Sequence, residues 1–116
     1  MVRLKQRSDF LRAARGIRRV TPGLTLEICA NPAGTDVRVG FTASRKIGGA
    51  VVRNRAKRRL RAVAAEVLPL SAVPGTDYVL VARRDTVARP FENLKSDLAQ
   101  ALRAAHLKLA PQGDAQ

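Results

Sequence analysis

Arg53, Lys57 and Arg61 follow one another at four-residue intervals inside the run Arg45 to Arg61 (RKIGGAVVRNRAKRRLR), where eight of seventeen residues are Arg or Lys and none is acidic. At about 100° per residue, Val52, Ala56, Leu60, Val63 and Val67 fall in one narrow sector of a helix. The three spaced cations form a stripe beside that sector, and Arg55, Arg58 and Arg59 spread over the far side. Such a helix packs one face on a core and offers the rest to a polyanion. A merely solvated face would mix signs. Here six like charges share a helix with no acid one turn away, each such pair costing a few tenths of a kcal/mol.

Other chemistry is poorly provided for. His106 sits beside Ala104 and Ala105 and reads as a surface or packing residue rather than a general base. Cys29 has no evident partner base, as a nucleophile would need, and no Cys/His set has zinc spacing. Gly48-Gly49 ahead of a helix could cradle a phosphate, but the Gly-Lys-Ser/Thr pattern is absent, so a tight strand-to-helix turn is the simpler reading. The helix start it creates still leaves free amides beside Arg53 for a backbone phosphate. By itself the polypeptide is a poor candidate for a catalyst.

The net charge of +13 is lopsided. Residues 1–65 carry sixteen Lys/Arg against three acids, whereas residues 66–116 carry six of each. That asymmetry indicates a dedicated binding surface, with nucleic acid as the expected polyanion. With no Trp, one Tyr and three Phe, stacking on several rings is not on offer, so recognition should rest on phosphate, ribose and shape. An apolar sector of Ala and Val without an aromatic anchor disfavours a membrane-surface helix. One cysteine excludes an internal disulfide framework, and no apolar run could span a bilayer. A cytoplasmic, unprocessed protein is expected.

The elements that must position the basic run can be placed around it. Length allows one domain, 1–116, with a basic arm over 1–7 and a fraying tail over 111–116. Ser8 is placed to cap a first helix that ends at Gly16, with Phe10, Leu11 and Ala14 inward. Ile17–Val20 reads as a short strand or extended link. Leu24, Leu26, Ile28 and Ala30 alternate with Thr25, Glu27, Cys29 and Asn31 as a half-buried strand, and Asn-Pro-Ala-Gly at 31–34 is a turn. Val37 to Ser44 alternates again, with Val37, Val39, Phe41 and Ala43 opposite Arg38, Gly40, Thr42 and Ser44. The basic helix is expected from about Ala50 to Leu68, followed by a loop from Pro69 to Thr76. Tyr78–Ala82 reads as a strand covered on both sides. Phe91, Leu94, Leu98, Ala101, Leu102, Ala105 and Leu109 mark a last helix.

Residues 38–61 (RVGFTASRKIGGAVVRNRAKRRLR) resemble the signature of the bacterial ribonuclease P protein family. The resemblance is carried by Lys46-Ile47-Gly48-Gly49-Ala50-Val51, then Arg53-Asn54-Arg55, Lys57-Arg58 and Arg61. Arg3-Leu4, Asp9-Phe10 and Gly16 upstream and Asp77 to Arg83 downstream extend it over roughly residues 3–105. It implies an α+β fold, an αβββαβα two-layer sandwich with a left-handed βαβ crossover. It also implies an endoribonucleoprotein that removes the 5′ leader of precursor tRNA, in which an RNA subunit and its Mg²⁺ carry the chemistry. No cofactor is expected on the protein. By the same resemblance Arg45, Lys46, Arg53, Asn54, Arg55, Lys57, Arg58 and Arg61 would serve the RNA. A cleft around Phe10, Ala14, Thr25, Glu27, Thr42 and Ser44 would take the leader. Ala14 and Glu27 stand where many relatives have aromatic rings, which implies weaker or rearranged leader contacts. The expected partners are the ribonuclease P RNA and precursor tRNA, with neither membrane nor DNA. A basic ribosomal protein, a general RNA chaperone and a DNA-binding module remain as alternatives.

Overall fold

The computed structural model describes residues 1–31 and 34–114, the last five for backbone only. In chain order it holds β1 (Val2–Arg3), α1 (Arg7–Ala14), β2 (Ile17–Val20), β3 (Leu24–Ala30), β4 (Arg38–Thr42), α2 (Ala50–Ser71), β5 (Thr76–Ala82) and α3 (Phe91–Asp114). Short 3₁₀ turns at Arg45–Ile47 and Arg84–Thr86 lead into α2 and α3. The five strands form one sheet in the order β1-β4-β5-β3-β2. β1, β4 and β5 run parallel, whereas β3 is antiparallel to both β5 and β2. The fold is therefore the expected α+β arrangement of three helices on a mixed sheet, with one small strand added at its edge.

Strand alternation sends two different sets of side chains to the two faces. Leu24, Leu26 and Ile28 of β3, Val39 of β4, and Tyr78, Leu80 and Ala82 of β5 face α2 and α3, and close the main core with Ala56, Leu60, Val63, Leu68, Leu94, Leu98 and Leu102. This core accounts for the helical sector read from the sequence: Ala56, Leu60 and Val63 are fully buried, Val67 is half-buried, and Val52 at the solvent end is exposed. The opposite face carries a smaller cluster of Leu4, Ala13 and Val79 with Phe10, Cys29 and Val81 against it. There α1 covers only part of the sheet. Gly40 makes this close approach possible, because a Cβ on it would stand 2.5 Å from the Phe10 ring.

Four expectations are corrected. Residues 1–7 are not a free arm: Val2 and Leu4 donate to the Val37 and Val39 carbonyls, pinning the chain to the sheet edge. With Leu4 held there, α1 starts at Arg7, one residue before Ser8. Gln6 is its N-cap, its carbonyl accepts from the Asp9 and Phe10 amides, and no side chain caps the helix. Leu11 and Ala14 do not face inward. Both are exposed, and Ala13 with half-buried Phe10 packs on the sheet. Finally, α2 does not end at Leu68 but passes through Pro69 to Ser71. Pro69 removes the amide that would reach the Ala65 carbonyl, but both residues are exposed, so water can take that carbonyl in place of the lost bond. The expected turn at 31–34 contains Pro32 and Ala33, outside the described residues. The expected tail at 111–116 lies outside the fully described ones.

Candidate RNA interface

The basic helix is aimed by its entry. After β4 the chain makes the 3₁₀ turn with Arg45 and Lys46 exposed, and Gly48 then takes φ 145°, a conformation costly for any side chain. Gly49 is the N-cap, and no side chain caps α2, so its first amides remain available beside Arg53. Burial of Ala56, Leu60, Val63 and Ala64 fixes the rotation of the helix. Asn54, Arg55, Arg58 and Arg61 are exposed, while Arg53, Lys57 and Arg59 are half-buried along their stems.

Among the described residues, no carboxylate pairs with any α2 cation from Arg53 to Arg61; the ion pairs involve Arg12, Arg18, Arg38, Arg89 and Lys95. The buried Nε of Arg53 has no hydrogen-bond partner. Arg59 is the exception on the helix, since it donates to the backbone carbonyl of Arg89. The charged surface continues onto β1. The Arg3 guanidinium lies 5.3 Å from the centre of the Phe41 ring, and both residues border a small cleft shared with Arg61.

The second surface lies on the sheet face that α1 leaves open. A groove of about 660 Å³ is lined there by Arg18, Val20, Thr25, Ser44, Lys46, Val81, Arg83 and Arg84, with Asp85 at one side. Of the expected cleft residues, the groove lining includes Thr25 and Ser44. Phe10 and Thr42 share the sheet face but do not line the groove, and Phe10 is packed over Gly40. Ala14 is exposed on α1. Glu27 is drawn into a 3.7 Å ion pair with Arg18 across the β2–β3 register, and burial holds its carboxyl above the ordinary value against the opposing effect of Arg18. It is therefore not the freely solvated carboxylate that alternation alone suggests. Sequence reasoning missed Arg18, Arg83 and Arg84 as site residues. The signal for Arg18 was present, because pairing with β3 puts it opposite Glu27.

On that same face, under α1, other cations are neutralised. Arg38 makes a two-pronged contact with Asp77, at 2.8 and 2.7 Å, and reaches Asp9 at 3.3 Å. Arg12 bonds Asp9 at 2.8 Å and Asp77 at 3.2 Å. The fully buried Asp77 carboxylate thus has two guanidinium partners, and its hydrogen bonds hold Arg38 above its ordinary pKa. Among the described residues, no group of three or more His, Cys, Asp or Glu side chains is placed to hold a metal ion. No helix there is long and apolar enough to cross a membrane.

A small mixed sheet, a cationic helix without carboxylate partners among the described residues and a second cationic groove define a polyanion-binding domain, of the kind that attaches to structured RNA. Comparison with known proteins agrees. The ribonuclease P family model matches residues 1–106. The chain is 51% identical over 106 residues to a ribonuclease P protein component from Ruegeria pomeroyi, covering 89% of this chain and 85% of the relative. A ribonuclease P protein component from Paramagnetospirillum magneticum is 49% identical, with 87% and 80% covered. Among solved structures, the Staphylococcus aureus RNase P protein superposes with a TM-score of 0.74 at 25% identity, over 90% of this chain and 95% of that one. The Thermotoga maritima RNase P protein has the same fold, with a TM-score of 0.73 at 24% identity and coverage of 90% and 97%. The chain belongs to the ribonuclease P protein family, and its role is that of the protein subunit in maturation of the tRNA 5′ end.

Proposed function

We propose that this subunit works by counter-charge and positioning rather than by chemistry of its own. On this reading α2 grips the ribonuclease P RNA through Arg53, Arg55, Lys57, Arg58 and Arg61, with Asn54 and the free amides of the first turn at its leading end. Arg45 stands beside this contact at the helix entry. The open sheet groove takes the single-stranded 5′ leader of precursor tRNA along Thr25, Ser44 and Lys46, flanked by Arg18, Arg83 and Arg84. Thr42 and the ion-paired Glu27 continue that face, and Phe10 with Ala14 borders it from α1. Hydrolysis then belongs to the RNA subunit with Mg²⁺, which polarises phosphate and activates water there. On this reading no step of the hydrolysis passes through the protein.

The observation that carries this reading is the contrast in pairing: among the described residues, every cation of α2 lacks a carboxylate partner, while Arg12, Arg38 and Arg89 elsewhere in the molecule are held by Asp9, Asp77 and Asp97. Binding should therefore release counterions in proportion to the phosphates neutralised. Replacing Arg53, Lys57 and Arg61 together by Ala should lower the salt slope of affinity for ribonuclease P RNA by roughly two to three units. An unchanged slope across a KCl titration would remove α2 from the interface. Incubated with labelled precursor tRNA and Mg²⁺, the RNA-free protein should leave the tRNA intact. Cleavage at the mature 5′ end would overturn the non-catalytic assignment.

A further inference from the structure

The far side of α2 is built differently from the Arg53–Lys57–Arg61 stripe. Where α2 passes the start of α3, a cleft of about 430 Å³ opens, lined by Arg55, Arg58, Arg59, Ala62, Val87 and Phe91. Its size lies within the range of small-ligand sites, about 300–1,000 Å³. Three guanidinium side chains on one wall meet an apolar wall that contains an aromatic ring. Phe91 is half-buried and packs at the margin of the main core, so the ring is held by the fold.

One cation of the cleft is fixed in advance. The Arg89 side chain is clamped by two contacts to Asp97, and its carbonyl receives the Arg59 guanidinium. Asp97 in turn accepts from the Gly23 amide, so α3, the β2–β3 turn and the cleft wall are tied together. The Nε of Arg59 remains buried without a hydrogen-bond partner, a cost that an acceptor in the cleft would relieve. Arg55 and Arg58 are exposed and, among the described residues, unpaired. Phosphate alone would need the guanidinium groups but not the ring.

We propose that this cleft holds one unstacked nucleotide of the RNA partner, with its base against Phe91 and its phosphate on Arg55 and Arg58. The proposal rests on the RNA-binding reading of α2 and adds to it a base-contacting subsite in a chain with few rings. Stacking on an aromatic side chain tolerates any base, so the site reads an extruded nucleotide rather than a sequence.

The test uses the full free chain and four small probes: AMP, adenosine, ribose 5-phosphate and inorganic phosphate. Binding is followed by NMR on the Phe91 ring and the Arg side chains. AMP should bind about tenfold or more tightly than ribose 5-phosphate, the scale of base–aromatic stacking, and should shift the Phe91 ring signals. Phe91→Leu, which keeps the apolar packing, should abolish that preference while leaving phosphate binding unchanged. Arg58→Gln should weaken AMP and phosphate alike and leave adenosine unaffected. Equal affinities for AMP and ribose 5-phosphate, or an AMP preference that survives in Phe91→Leu, would overturn the proposal. Should Phe91→Leu fail to fold, the absence of AMP-induced shifts on Phe91 in the unmodified chain would overturn it equally. Affinity for ribonuclease P RNA, with its salt slope, is measured in parallel. Its persistence alongside equal probe affinities would defeat the nucleotide subsite alone, whereas its loss would defeat the broader reading.

Discussion

Two arginine-rich regions of this molecule lie on opposite faces of one sheet and do opposite things. Under α1, Arg12 and Arg38 close on Asp9 and Asp77, with the carboxylate of Asp77 fully buried. Along α2, six cations share a helix without one acid between them. Residue type does not distinguish the two regions; pairing does. A guanidinium that has spent its donors on a buried carboxylate holds the fold together, and its removal leaves a charge stranded. A guanidinium with open donors stores repulsion that a phosphate partner relieves. The surface that binds can therefore be recognised by which cations the fold has left unanswered.

The comparison is most exposed at Asp77. Asp77→Asn keeps the shape but removes the buried carboxylate and leaves Arg12 and Arg38 with Asp9 alone. Urea denaturation should show a loss of about 1–3 kcal/mol, with an unaltered salt slope for RNA in whatever fraction remains folded. A loss below about 1 kcal/mol would mean that the network is ornamental. Next in size, the triple change of Arg53, Lys57 and Arg61 to Ala should do the reverse. It should cost RNA affinity heavily at moderate salt while unfolding free energy stays within about 1 kcal/mol of the starting protein. A large destabilisation would place those side chains in the architectural class.

Glu27 sits between the two classes. Glu27→Gln should free Arg18 for phosphate, and the reconstituted ribonucleoprotein should bind precursor tRNA a few-fold tighter, about the worth of one exposed ion pair. Mature tRNA, which has no leader, should bind as before, and equal effects on both would take the leader away from this groove. The smallest effect concerns His106. The Tyr78 hydroxyl accepts from the Val73 amide at 2.8 Å and lies 2.7 Å from the His106 Nε2, which best receives its proton on a neutral ring. Burial lowers the His106 pKa. The unfolded chain thus takes up the proton first, and stability is full above the ordinary His value of about 6.5 and declines as pH falls below it. Melting temperatures should drop between about pH 7 and pH 5.5, and His106→Gln should flatten that slope. An equal slope in the variant would assign the pH dependence to other groups.

Those parts of the molecule with a strong period were legible in the sequence. The apolar sector of α2, the alternation of β3 and β4, the continuous run of β5 and the repeat of α3 each correspond to a surface that the fold buries. What escaped was set by contacts distant in the chain. β1 has two residues and no pattern; it is a strand only because β4 offers it an edge. The inward side of α1 was misread because it buries ion pairs together with Ala13, so apolar spacing pointed to Leu11 and Ala14. In the site, the α2 stripe was legible as spacing. The open groove was not, since Arg18, Lys46, Arg83 and Arg84 come from separate segments. Nor could spacing separate Arg59, which bonds a backbone carbonyl, from its unbonded neighbours.

The place of β5 in the sheet bears on how the chain is born. Among the described residues it is the middle strand, joining the parallel half to the antiparallel half, yet it is the last of the five to leave the ribosome. Until Ala82 has emerged, β3 and β4 have no common neighbour, and α2 has no completed sheet to lie on. The residues made before β5 include all sixteen Lys and Arg of positions 1–65, so the charge excess precedes the strand that completes the sheet. Pairing of the two halves of the sheet therefore waits on residues 76–82, and long-range pairing of this kind is slow.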